Sequence, residues 1–194
     1  MKFRGLVEIL VCATAFTACA SSQKAETVSA VPDSATNDSE YAGTLQKWQR
    51  SENVFHLFQN QLSINAVMLS SEFRKSYSSR MTRLRGDSRN SLEESVNQRV
   101  GFLVSITSPF HAYETLDDKR IWGISLKYGN SKIQNNETKL LADKVILEPF
   151  FPFITQWSRE FLVTFEPAEL GEQSQSVTLL LKSALASVEM EWHQ

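Results

Sequence analysis

Beyond residue 19 this 194-residue chain has no cysteine. No disulfide can form there, and no thiolate is on hand to bind a metal or attack a substrate. Secreted domains too small to build a core depend on disulfides, so this one must be held by burial. The stretch from Tyr41 to the C-terminus is long enough for that, since a chain of about 150 residues hides roughly 68 to 70% of its unfolded surface in one core. One domain over residues 41–194 is the natural count.

Histidine is scarce as well. His56, His111 and His193 stand far apart, with no H-E-x-x-H or His-x-His spacing, so no local zinc signature exists. The G-x-S-x-G elbow and the phosphate-binding G-x-x-x-x-G-K-[ST] are missing too. The expectation is no catalytic set, no metal and no cofactor. His111 with Glu114, Asp117 and Asp118 is read as decoration of an exposed turn. A hydrolase site assembled from distant residues, such as His111 with Asp117, is the rival reading from another class. Long apolar runs are lacking: Ile9 to Phe16 falls far short of the roughly 20 residues that span a bilayer.

What is present begins at the N-terminus. Lys2 and Arg4 precede an apolar stretch that closes on Phe16-Thr17-Ala18-Cys19. A basic region, a short apolar core and small residues before a cleavage site make a signal peptide of residues 1–18. The four closing residues resemble the lipobox of bacterial membrane lipoproteins. That resemblance implies diacylglycerol, and with it palmitate, on Cys19, which becomes the mature N-terminus. It also implies sorting to the outer membrane, because Ala20 is not the Asp that retains lipoproteins inside in enteric bacteria. The family prefers Leu where Phe16 stands, and Glu8 lies at the edge of the apolar segment. Ala13-Thr14-Ala15 and Ala18-Cys19-Ala20 also fit the small-x-small rule of plain secretion.

Residues 19–40 read as the lipid site and a linker. Ala20 to Glu40 is rich in Ser, Ala, Thr and acidic residues and has no aromatic, so it cannot offset its ordering entropy. As a flexible coil such a segment reaches roughly 25 Å.

From Trp48 onward the dominant period is two, the mark of strands with one buried face. Val188-Glu189-Met190-Glu191-Trp192-His193 alternates strictly, and the same pattern runs through Phe161 to Phe165, Val177 to Leu181, Trp122 to Tyr128, Phe102 to Ile106 and Leu62 to Met68. Val54 to Phe58 is predicted as a further strand and Val145 to Leu147 as an eighth. The fold class is mostly β, an antiparallel sandwich of seven or eight strands. Trp48 and Trp192 are expected in its core.

Between Ser70 and Val100 the spacing lengthens to three and four. Phe73, Tyr77, Met81 and Leu84 make one helical stripe; Ser91-Leu92-Glu93-Glu94 opens a second with a capping box, continued by Val96 and Val100. A helical hairpin inserted at about 70–100 is predicted over a face or edge of the sheet. Arg74, Lys75, Arg80, Arg83, Arg85 and Arg89 stand against Glu72 and Asp87 alone. As an exposed stripe these six cations would bind an anionic glycolipid, a membrane surface or an acidic envelope protein; as a solvated face they would bind nothing. Nucleic acid fits poorly, because the whole chain carries a net charge of −2.

Pro149 to Trp157 concentrates Phe150, Phe151, Phe153 and Trp157 among prolines. These rings predict either a plug for the open end of the sandwich or a stacking platform of the kind a carbohydrate-binding module uses. The run Leu62 to Tyr77, with the later Phe-Pro-Phe and the near-terminal Trp192, resembles uncharacterised lipoproteins of Gram-negative bacteria, which implies no activity. Taken together, the expectation is a lipid-anchored, non-enzymatic binding or envelope-maintenance domain, at the periplasmic face or cell surface.

Overall fold

Tyr41, Leu45 and Trp48 recur four and three residues apart, and this buried stripe carries α1 (Asp33–Trp48). The computed structural model describes residues 33–86, 92, 96, 99–129, 131–166 and 176–193. The signal segment, Cys19, the linker before Asp33, Arg89 and Ser91 lie outside the described residues. Residues 33–40, expected as linker, are the opening turns of α1. Asp38 ties this segment to α2, its carboxylate accepting from Arg83 Nη2 at 2.9 Å.

The elements that follow are β1 (Gln49–His56), β2 (Gln59–Met68), α2 (Ser71–Arg85), β3 (Val100–Thr107), β4 (Gly123–Tyr128), β5 (Ser131–Gln134), β6 (Glu137–Leu141), then α3 (Lys144–Leu147), β7 (Arg159–Phe165), β8 (Ser176–Lys182) and β9 (Ser187–His193). The strands form two antiparallel sheets, β1-β2-β3-β7-β6 and β5-β4-β8-β9. The predicted mostly-β sandwich is therefore present.

At Asn135-Asn136 the chain steps from one sheet to the other. Asn135 donates its backbone N–H to Ile124 O of β4 at 3.2 Å, and Asn136 donates to Thr164 O of β7 at 2.8 Å. At the opposite edges β1 and β9 meet, where Arg50 Nε donates to Glu191 O at 2.7 Å and Trp192 Nε1 to Trp48 O at 2.6 Å. The sandwich is thus stitched along both sides.

Alternation explains the layers. On the inner face of the first sheet Ile64 pairs with Ile106 and Phe102 with Val163, and the Phe102 ring lies 5.1 Å from that of Trp192 in the second sheet. Both tryptophans expected in the core, Trp48 and Trp192, are buried. The outer face of the first sheet carries Val67, Leu103 and Leu162, also buried, so it needs a cover. The inserted helices supply it. A Cβ at Gly101 would lie 2.6 Å from Val96 Cγ2, so only glycine lets that helical residue approach the sheet.

Ser70 caps α2, its hydroxyl accepting from Phe73 N–H at 3.1 Å, and Gly86 ends it in the left-handed region at φ 67°. Phe73, Tyr77 and Met81 are buried as predicted; Leu84, on the last turn, is exposed. Leu92 and Val96 are helical and buried, as the second stripe requires.

Three expectations are corrected. Val145 to Leu147 belong to the helical turn α3, with Ile146 N–H bonded to Asp143 O and Glu148 N–H to Lys144 O. Strands β5 and β6, short and largely exposed, were not predicted. The strand expected to run through Phe58 ends at His56, and Leu57-Phe58 form a two-residue hairpin turn with φ of 46° and 66°. Such a turn suits Asn-Gly, and left-handed backbone costs a residue with a Cβ about 1 to 2 kcal/mol.

Candidate functional site

The basic stripe of α2 is engaged within the fold chiefly at Arg80. Arg80 lies over the Tyr41 ring, its Cζ 4.5 Å from the centroid, and 5.8 Å from that of Phe150. Its Nε is 3.7 Å from Asp38 Oδ1, the same oxygen that Arg83 holds, and Arg85 donates to Ile146 O at 3.4 Å. Arg80 and Arg83 therefore reach α1, while Arg83 and Arg85 remain exposed to solvent. Lys75 is exposed and Arg74 half-buried.

The aromatic run divides in a way that composition cannot reveal. Phe150 and Phe151 are buried, with ring centroids 4.9 and 5.7 Å from Tyr77, and Phe151 also packs on Phe73 and on half-buried Phe153. Tyr41 donates its hydroxyl to Phe150 O at 2.9 Å. Burial pushes the Tyr77 phenol up to about 12 and Tyr41 higher still, so both stay neutral and pack as aromatics. The platform expected of Phe150 and Phe151 does not exist. They seal the helical layer instead of an open sandwich end. Trp157 is the exception, 72% exposed.

That indole stands beside a cleft of about 520 Å³ at one end of the first sheet, between the loop after β3 and the segment entering β7. Ser108 opens the loop, its hydroxyl donating to Gln61 O at 2.8 Å and accepting from Phe110 N–H at 3.1 Å. The loop then turns so that His111 Nδ1 lies 3.0 Å from Glu114 Oε2. Glu114 is buried while the His111 ring is open to solvent. Asp117 is exposed, and Asp118 is turned to Arg120, whose hydrogen bonds hold its carboxyl down to about 2. Of the predicted polar cluster, only Glu114 joins His111. The pairing of His111 with Asp117 is corrected accordingly.

Across the cleft, Lys144 Nζ donates to Thr155 O at 3.1 Å and Gln156 O at 3.3 Å, closing the turn that presents Trp157. The same ammonium is 3.8 Å from Glu160 Oε2. Ser158 Oγ lies 2.5 Å from Glu160 Oε1 and 2.9 Å from Thr155 O, and accepts from Thr155 N–H. Sequence reading missed Lys144, Ser158 and Glu160. The one available signal was Glu160 itself, on the same strand face as Leu162 and Thr164, where a charge interrupts an apolar strand.

No protein-family model matches this chain, and none of the curated proteins is significantly similar to it. Among the described residues, no group of three or more His, Cys, Asp or Glu side chains is gathered as a metal site, and no helix is long and apolar enough to cross a membrane.

Glu160 is wholly buried, and among the described residues its Oε2 finds no hydrogen-bond donor. Desolvation raises its pKa above the ordinary 4.5 against the opposing pull of Ser158, Lys144 and Ser105. The folded protein thus keeps this proton to higher pH than the unfolded chain. Stability linked to it is greatest below the ordinary value and is lost as pH rises through the raised one. Glu160→Gln, which keeps the acceptor for Ser158 and removes the buried charge, is expected to raise the melting temperature at neutral pH. The gain should vanish under acid conditions below 4.5. A neutral-pH melt lowered by the substitution would mean that the Lys144 attraction outweighs desolvation.

Proposed function

We propose that this chain is an envelope lipoprotein, held to a bacterial membrane by lipid on Cys19, whose β domain binds a ligand beside Trp157 without transforming it. The observation that carries the binding role is the exposed Trp157 ring at the rim of the cleft. An indole offers a large flat apolar face together with an N–H donor, the combination that suits stacking contacts. His111, Glu114 and Arg159 offer polar groups at the same cleft, so the ligand that suits it has a flat apolar face and hydrogen-bonding edges, as a saccharide of the envelope has.

The hydrolytic reading draws on the His111–Glu114 pair. Against it stands Ser158, whose buried hydroxyl is already engaged by Glu160 and Thr155.

Titration of the protein with soluble peptidoglycan oligosaccharides, followed by tryptophan fluorescence, tests the binding role. Saturable quenching is expected, with Trp157→Ala abolishing it while leaving the melting temperature within about 1 °C, because exposed side chains contribute little to stability. Quenching that persists in Trp157→Ala would move the site elsewhere. Saccharide cleavage in the same mixtures would replace binding with catalysis.

A further inference from the structure

The β1–β2 hairpin ends in a feature that a soluble surface does not explain. Phe55 is 63% exposed, Leu57 78%, and Phe58 fully so. Leu57 and Phe58 also occupy the turn at positive φ, where Asn-Gly would fold at less cost. Two bulky apolar residues are kept at the tip despite both penalties.

We propose that this tip inserts into the acyl region of a lipid bilayer. Four observations fit that occupant. First, no Asp, Glu, Lys or Arg occurs from Asn53 to Ser71, so insertion strips no formal charge of water. Second, the strands pair out to His56 opposite Gln59, so only the peptides of the two-residue turn are left for water and headgroups to satisfy. At the bulge after Val54, the Asn60 side chain accepts from Leu62 N–H at 3.1 Å. At the depth of the headgroup–acyl boundary, where water still reaches, such a turn is tolerated.

Third, the shape is convex and the area small. At about 150 to 250 Å² for a large aromatic side chain, the three exposed residues offer roughly 450 Å², against the roughly 800 Å² each partner gives to a stable protein interface. A fluid acyl phase wraps around such a tip, whereas a second copy of this chain would gain too little from it. Fourth, at about 3.4 Å per residue the tip from Phe55 outward reaches roughly 7 Å, the depth at which interfacial segments sit. Ser108 bonds Gln61 O at the base of this hairpin, so insertion turns the Trp157 end of the sheet toward the membrane.

The proposal stands apart from the lipid on Cys19 and from any ligand at Trp157, and its test reads neither. Phe58→Trp in the full-length chain, with phosphatidylcholine vesicles whose acyl chains carry bromine, reports contact directly; the wild-type spectrum is subtracted to leave the introduced indole. The expected result is a blue-shifted component from that indole, quenched at least twofold by the brominated chains and unchanged at high salt. A red-shifted component quenched by aqueous acrylamide and untouched by bromine overturns it. So does a blue shift that depends on protein concentration and ignores bromine, which would mean a second copy covers the tip. Leu57→Asn with Phe58→Gly supplies the control: the turn is relieved, so the melting temperature should rise while contact of the hairpin with vesicles is lost. Vesicle contact retained by that variant, read by a nitroxide label at His56→Cys, also overturns the proposal.

Discussion

Trp192→Ala is expected to lower the melting temperature by on the order of 6 to 20 °C. The ring is fully buried, 5.1 Å from Phe102 by centroid, with Arg50 stacked 5.7 Å from it. Removing a buried aromatic costs about 3 to 5 kcal/mol, and each kilocalorie shifts the melt of a 150 to 250 residue domain by about 2 to 4 °C. The indole N–H adds a second contribution, since its loss leaves Trp48 O without that donor at the β1–β9 seam. Trp192→Phe separates the two: it keeps much of the ring and should lose about 1 to 3 kcal/mol for the carbonyl left unpaired. Thermal melts followed by circular dichroism decide it. An unchanged melt for Trp192→Ala would mean that β9 does not contribute to the core.

Cys19→Ala should abolish incorporation of labelled palmitate and leave an unprocessed chain that carries residues 1–18. Two or more acyl chains anchor stably where one binds reversibly, so the wild-type protein should fractionate wholly with membranes. Recovery of wild-type protein as a soluble periplasmic species with its N-terminus at Ser21, after Ala20, would favour plain secretion and end the lipoprotein reading. Any membrane association that survives in a processed Cys19→Ala chain should then disappear on adding Leu57→Asn and Phe58→Gly, which assigns the remainder to the hairpin.

Much of the fold could be read from periodicity, and the failures have physical causes. Val188 to His193 is a strand with one buried face, so the alternation is written into it, whereas Phe161 to Phe165, buried on both faces, shows only its aromatic and valine side as a repeat. Ser131 to Gln134 and Glu137 to Leu141 lie at the margins of their sheets with little buried on either face, so no alternation is selected and none is visible. Val145, Ile146 and Leu147 have the composition of a strand, yet Val145 is exposed in a helical turn set by its flanks. Tyr41, Leu45 and Trp48 did carry a helical stripe, hidden by the polar residues that precede it.

The site was less legible. Whether Phe151 or Trp157 faces water depends on Tyr77 and Phe73, some 75 residues earlier in the chain, and nothing local distinguishes the two rings. Arg80 and Arg83 read as free cations because their partner, Asp38, stands more than 40 positions away in a segment with the composition of a linker. His111 and Glu114, three apart, are a cleft pair that local spacing brings together.

The seam between Trp48 and Trp192 joins residues 144 positions apart. Pairings so distant in sequence form slowly, because the loop between them must be ordered before the contact repays it. Here the final stitch also waits for β9 to be synthesised, so the core cannot close on a nascent chain that has not yet reached Trp192. Under the export that we propose, this dependence on the last strand would keep the chain open to a narrow channel until its synthesis is complete.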